Sequence, residues 1–217
     1  MATTSPPAAN YPVTFSVDYP DRPLDRLSTG LRFLWIIPIG IVVASISGGY
    51  VTVPRGGTVN TVTIIAAAGG ILFFAPLVMI LFRQKYPRWW FDWNRELLRF
   101  QNRVGAYMLL MEDRYPSTDE EQYVHLDVDY PDAARDLNRW LPLVKWLLAI
   151  PHYIVLAFLW LGALFAVIFA WFAILFTGRY PRGLFDYVEG VARWHNRVIG
   201  YAFILVTDAY PPFSLRA

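Results

Sequence analysis

Six residues fall into two matching sets whose spacing could do chemistry. Asp92, Arg99 and Arg103 stand at i, i+7 and i+11, and Asp186, Arg193 and Arg197 repeat the intervals. On a helix those intervals place all three side chains on one stripe. Two arginines per stripe at a water–lipid boundary would suit anionic lipid headgroups, which attract basic residues next to the membrane. The same arginines could instead pair with Asp18, Asp21, Asp129 and Asp132 and hold the fold together. The spacing leaves both readings open.

The other titratable groups form weaker sets. His152 sits in an apolar run beside Pro151, and ionisable groups at membrane depth are often functional. No carboxylate shares that run, so a hydrogen-bonded structural histidine is expected. His195-Asn196 with Asp186 or Asp208 comes nearest to an acid–base pair. No serine, cysteine or second histidine accompanies it at a recognisable spacing, and a packing or capping role is expected. His125 lies in an alternating segment without companion ligands. Three scattered histidines make no metal-ligand pattern, and zero cysteines exclude thiolate chemistry and disulfides. Gly48-Gly49, Gly56-Gly57 and Gly69-Gly70 fit neither nucleotide-binding pattern, so no cofactor is expected. The Tyr-Pro steps at Tyr19, Tyr86, Tyr115, Tyr130, Tyr180 and Tyr210 read as chain-direction switches, because proline drives the preceding residue to extended geometry.

The elements that must position these groups are apolar. The 217-residue chain is 17% charged, against about 25% in soluble domains. Trp146–Thr177 has no charged side chain over 32 residues. One helix of that length would reach about 48 Å, whereas about 20 residues cross a bilayer. A hairpin turning near Leu161-Gly162-Ala163 is therefore expected, with legs at about 143–160 and 162–177. Residues 31–47 and 62–82 read as a second pair of legs, joined by Gly48–Thr61 as a loop or small β-ribbon. Arg22, Arg26 and Arg32 precede the first leg, and Arg83, Lys85 and Arg88 follow the second. Arg135, Arg139 and Lys145 precede the third, and Arg179 and Arg182 follow the fourth; the outer loop holds only Arg55. Basic residues favour the cytoplasmic side, so every other flank and both termini are expected there. The basic residues form no separate domain, and nucleic-acid binding is not expected. Residues 1–10 carry neither a basic nor an apolar leader segment and read as a short disordered lead-in rather than a signal peptide.

The chain matches itself in four ordered blocks. Val17-Asp18-Tyr19-Pro20-Asp21 recurs as Val128-Asp129-Tyr130-Pro131-Asp132. Lys85-Tyr86-Pro87-Arg88 recurs as Arg179-Tyr180-Pro181-Arg182. Arg99, Asn102, Arg103, Val104 and Tyr107 recur as Arg193, Asn196, Arg197, Val198 and Tyr201. Asp113-x-Tyr115-Pro116 recurs as Asp208-x-Tyr210-Pro211. Two repeats, 11–116 and 123–213, are read from these blocks. Each opens with an alternating strand, Val13–Val17 or Val124–Val128. A membrane hairpin and an amphipathic helix follow, about Trp90–Arg103 or Leu184–Arg197. Each closes with a strand over Val104–Met111 or Val198–Thr207, which pairs with an opening strand.

Residues Trp140–His152 (WLPLVKWLLAIPH), Trp171–Gly183 (WFAILFTGRYPRG) and Thr207–Ser214 (TDAYPPFS) resemble the DUF4389 family. The first repeat carries a degraded version. The resemblance implies a prokaryotic membrane protein and brings no activity, cofactor or catalytic residue. The expected fold is therefore α-helical and membrane-embedded, with four transmembrane legs in two tandem repeats and a small cytoplasmic α+β layer. The expected role is non-catalytic: a multi-pass cell-membrane accessory or scaffold that contacts anionic lipid, a membrane-protein partner or a second copy. A transporter or channel component is the alternative, and a lipid-modifying enzyme is a third.

Overall fold

Period-2 alternation makes strands at both expected openings, β1 (Val13–Val17) in the first half and Val124–Val128 in the second. Between them come α1 (Arg26–Gly30), α2 (Arg32–Ser47), β2 (Gly49–Arg55), β3 (Thr58–Ile64), α3 (Ile71–Arg83) and α4 (Arg88–Met108). The second strand is β4 (Val124–Val128), followed by α5 (Pro142–Leu148), α6 (Ile150–Thr177), α7 (Arg182–Ile199) and a π-helical turn, Gly200–Ile204. These elements belong to a computed structural model that describes residues 11–47, 49–55, 58–64 and 71–216. The lead-in expected over 1–10 lies outside those residues.

The two opening strands pair with each other. β1 and β4 are antiparallel, with Val13 opposite Val128 and Phe15 opposite Leu126. Their alternation buries Val13, Phe15, Val17, Val124, Leu126 and Val128 on one face. A two-stranded ribbon is marginal alone, and here α7 packs on β1 and α4 on β4. α7 also packs on α6. β2 and β3 form a second antiparallel ribbon between α2 and α3.

The structure corrects the four-legged membrane fold. Among the described residues only α6 is long and apolar enough to cross a membrane by length and composition. It is one continuous 28-residue helix through Leu161-Gly162-Ala163, where a turn was expected. Nothing there is strong enough to end a helix, since one interior glycine costs only about 1 kcal/mol. Gly162 has a packing reason instead: a Cβ there would lie 2.5 Å from the Tyr187 hydroxyl. The helix ends at Gly178, whose φ of 75° takes the left-handed C-terminal position that glycine fills without strain.

The first pair of legs fails for other reasons. α2 has 16 residues, about 24 Å, which falls short of the hydrocarbon thickness. The leg expected over 62–82 begins inside β3, and its helix, α3, has 13 residues. The closing strands are also absent. α4 stays helical to Met108, and α7 runs into the π turn. The turn is fixed by close packing: a Cβ on Gly200 would meet Val13 Cγ2 of β1 at 2.6 Å. That contact outweighs the strand preference of Tyr201, Phe203 and Ile204.

Candidate functional site

Both arginine stripes face the sheet and the chain that follows their helices. Arg99 Nε donates to the Leu126 carbonyl at 2.8 Å, and Arg193 Nε to the Phe15 carbonyl at 2.8 Å. Each arginine therefore ties its helix to one strand of the same cross-strand pair. Arg99 also meets Asp127 at 2.9 Å and Glu96 at 3.0 Å; Arg193 meets Glu189 at 2.5 Å and the Leu215 carbonyl at 2.9 Å. Arg103 and Arg197 are buried. Arg103 donates to the carbonyls of Ser117 and Thr118, and Arg197 to that of Ser214. Asp92 pairs with Arg88 and Arg95, and Asp186 with Arg182, within their own helices. The six residues do not converge on one site. The arginines stitch, and their partners are mainly carbonyls rather than Asp18, Asp21, Asp129 or Asp132.

The stitching contacts come in matched pairs, most of them crossing between the halves of the chain. Tyr19 donates to the Tyr180 carbonyl at 2.6 Å and Tyr130 to the Tyr86 carbonyl at 2.5 Å. Arg182 lies over the Tyr19 ring and Arg88 over the Tyr130 ring, 4.4 and 4.8 Å from their centroids. Asn102 and Asn196 exchange amide hydrogen bonds of 2.8 and 2.7 Å where α4 meets α7. The Tyr-Pro steps thus act as more than chain switches, because their tyrosines and carbonyls bond each other.

Each histidine makes contacts within the fold. His152 Nδ1 accepts from Trp194 Nε1 at 3.0 Å, and its ring stacks on Phe213 at 4.1 Å. His195 meets the Trp160 ring edge and lines a small cavity with Asn102 and Asn196 between α4 and α7. Burial pushes its imidazole below the ordinary range, toward the neutral form. His125 pairs with Asp18 at 3.0 Å on the exposed side of the sheet. Among the described residues no cluster of histidine and carboxylate side chains could hold a metal.

Two buried cations were not singled out by the spacing. Lys145 is 0% exposed, in α5. Its ammonium meets Asp208 at 2.6 Å and the Thr207 carbonyl at 2.8 Å, beneath the Tyr201 ring at 5.2 Å. Burial pulls its pKa down, partly opposed by the bond to Asp208. Arg32 is 3% exposed, at the start of α2. It donates to the carbonyls of Tyr107 and Glu112 at 2.7 and 2.5 Å and lies 4.1 Å from the Tyr107 ring centroid. A signal for both was present: Arg32 stands six residues before Pro38, and Lys145 six before Pro151. Their partners Asp208 and Glu112 lie in the Asp-x-Tyr-Pro blocks or beside them.

The largest feature is apolar. Along α6 one stripe is buried from end to end: His152, Leu156, Ala163, Ala166, Ala170 and Ile174. The opposite stripe is uncovered, from Ile154 and Phe158, 72% exposed, through Phe165 and Phe169 to Phe176, 78% exposed. Contacts tie α6 to the polar body at both ends and between. They are Trp194 to His152, Tyr187 to the Leu159 carbonyl, Trp171 to the Thr29 carbonyl and Arg26 to the Phe176 carbonyl. Leu34, Trp35, Ile37 and Ile41 of α2 and Val144, Trp146 and Leu147 of α5 are also exposed. No curated protein and no solved structure matches the chain. Residues 140–214, from the start of α5 to just short of the C-terminus, match the model of a family described as Domain of unknown function (DUF4389).

Proposed function

We propose that this protein is a non-catalytic membrane-seated accessory protein whose α6 lies in the plane of one leaflet. The observation that carries the reading is the pair of stripes on α6. In its most apolar stretch only 22% of the helix is buried, so it is not the covered core helix of a water-soluble domain. Both its ends touch the same polar body. A helix with one face on a polar body and an apolar face open along its whole length fits the interface geometry of monotopic proteins. The basic flanks support the same placement, since Arg135 and Arg139 before α5 and Arg179 and Arg182 after α6 all favour one side. We place that side at the cytoplasmic face of the cell membrane, with the β1–β4 sheet turned to the cytoplasm as a scaffold for a partner or a second copy.

Anionic headgroups have better-placed contacts than the stitching arginines. Arg83 and Lys85 are exposed, and Arg139 joins them through its 3.2 Å hydrogen bond to Gln84. Exposed Phe82, Trp89 and Trp140 stand beside them in the chain, the aromatic–basic mixture of a membrane interface.

The two halves, 11–116 and 123–213, are proposed as tandem copies of one unit. The paired contacts support this: Arg99 with Arg193, Tyr19 with Tyr130, Asn102 with Asn196 and Arg32 with Lys145 occupy matched sequence positions and bond to matched groups. Cysteine labelling tests the membrane seat. In this cysteine-free chain, Arg135→Cys and Arg179→Cys should both react with an impermeant maleimide from the same side of sealed vesicles. Labelling from opposite sides sinks the in-plane reading and makes α6 a span.

A further inference from the structure

Arg32 and Lys145 differ in one respect that points to a ligand. Lys145 has its carboxylate, Asp208, at 2.6 Å. The residue matching Asp208 in the other half is Asp113, and it does not reach Arg32. Both its oxygens bond Arg22 instead, one of them also accepts from the Asp25 amide, and Glu112 turns to Arg22 as well at 2.6 Å. Arg32 is left with carbonyl partners on Nη1 alone. Its Nε and Nη2 are buried and have no hydrogen-bond partner among the described residues. The Asp113 and Glu112 carboxylates act on Arg32 only through space; a buried guanidinium with no anion bonded to it is costly, and the free Nε–Nη2 edge is the fork that a carboxylate fills with two parallel bonds.

That arginine stands in the wall of a cavity of about 470 Å³ between the α1–α2 junction, the turn after α4 and the second half of α6. The volume falls within the roughly 300–1,000 Å³ of small-molecule sites. Ile36, Met108, Leu164, Val167 and Trp171 supply its apolar wall. Thr29, whose hydroxyl is also buried and unpartnered, stands at the same cavity. One polar end and an otherwise apolar wall select a molecule built the same way.

We propose that this cavity binds a single-chain carboxylate amphiphile, of the fatty-acid class. The carboxylate takes the Nε–Nη2 edge of Arg32 with help from the Thr29 hydroxyl, and the chain runs along α6 past Met108 and Val167. The ligand supplies the counter-ion that Asp208 supplies to Lys145. The site does not depend on how α6 meets the bilayer.

Equilibrium dialysis of radiolabelled laurate and dodecanol against the full chain in amphipol tests the proposal. Laurate should bind about tenfold or more tightly than dodecanol, because only laurate makes charge-assisted bonds. Arg32→Met should remove that preference. Val167→Trp, which fills the cavity and leaves the arginine in place, should abolish laurate retention. Lys145→Met should leave the preference intact. Equal binding of laurate and dodecanol by the unaltered chain, or laurate retention unchanged in Val167→Trp, overturns the site even if Arg32→Met fails to fold. Vesicle labelling reports only on α6 placement, so the two readings fail separately.

Discussion

Gly162→Ala decides between a hairpin and a continuous α6, and its sign should depend on a residue in another helix. In a continuous helix the substitution gains helix propensity, about 1 kcal/mol. Against that stands the Tyr187 hydroxyl, 2.5 Å from where the new Cβ would sit. The hydroxyl must move and give up its 3.0 Å bond to the Leu159 carbonyl, a loss of about 1 kcal/mol. Forcing a methyl into packed space adds about 1–3 kcal/mol. The net expectation is destabilisation by about 1–3 kcal/mol. With Tyr187→Phe already present, the nearest atom is the ring carbon at 3.4 Å, an ordinary contact. Gly162→Ala should then stabilise by about 1 kcal/mol, so the double-mutant cycle yields a coupling of about 2–4 kcal/mol. In Tm, each kcal/mol is worth roughly 2–4 °C for a chain of this size. The measurement is thermal unfolding of all four proteins in one mild detergent, followed by far-UV circular dichroism. A turn at this position would penalise alanine whatever occupies position 187. Equal destabilisation in both backgrounds would refute the continuous helix.

Two other expectations concern the buried charges. Asp208→Asn should cost about 3 kcal/mol, because it leaves Lys145 charged and buried without its anion. Adding Lys145→Met should recover most of that loss in chemical denaturation, and a double variant no more stable than Asp208→Asn would show that the pair is not coupled. Asp113 gives an acid limb. Burial alone would raise its pKa, but hydrogen bonds from Arg22, the Glu112 carboxyl and the Asp25 amide hold it well below the usual carboxylate range. Its folded pKa is therefore depressed. The stability it contributes is present above the unfolded value of about 3.9 and is lost as pH falls below that, toward the folded value. Asp113→Asn should flatten stability between about pH 4 and pH 2, and an unchanged acid limb in a pH series of melts would contradict this.

Local signals in the chain were legible where one physical rule dominates. Alternation placed Val13–Val17 and Val124–Val128 as strands, and the apolar stripes placed α4 and α7. Pairing between strands was not legible, because β1 and β4 pair directly across more than a hundred residues of chain, which no local pattern spans. The closing segments failed because Gly200 against Val13 is a tertiary contact, and propensity is blind to it. The arginine stripe was visible as a pattern, yet the acceptors of Arg99 and Arg193 are backbone carbonyls, which no side-chain spacing can reveal. Arg32 and Lys145 carried a usable signal, since a lone cation near the start of an apolar run, six residues before a matched proline, recurs in both halves.

The opposition between the charge rule and the length of Trp146–Thr177 dissolves if α6 takes the proposed in-plane placement. Basic residues on both flanks favour both ends on one side, and a run of that length is too long for one upright span. Those two statements force a hairpin only if the helix stands across the bilayer. Apolar composition sets how much surface needs to leave water; it does not set the direction of the helix axis. Direction is set by what the helix packs against. Here the small residues Ala163, Ala166 and Ala170 bring α6 close to the polar body, while the phenylalanines point away from it. On the proposed in-plane placement, the flanking charges, the unbroken helix and the open apolar stripe would be satisfied together.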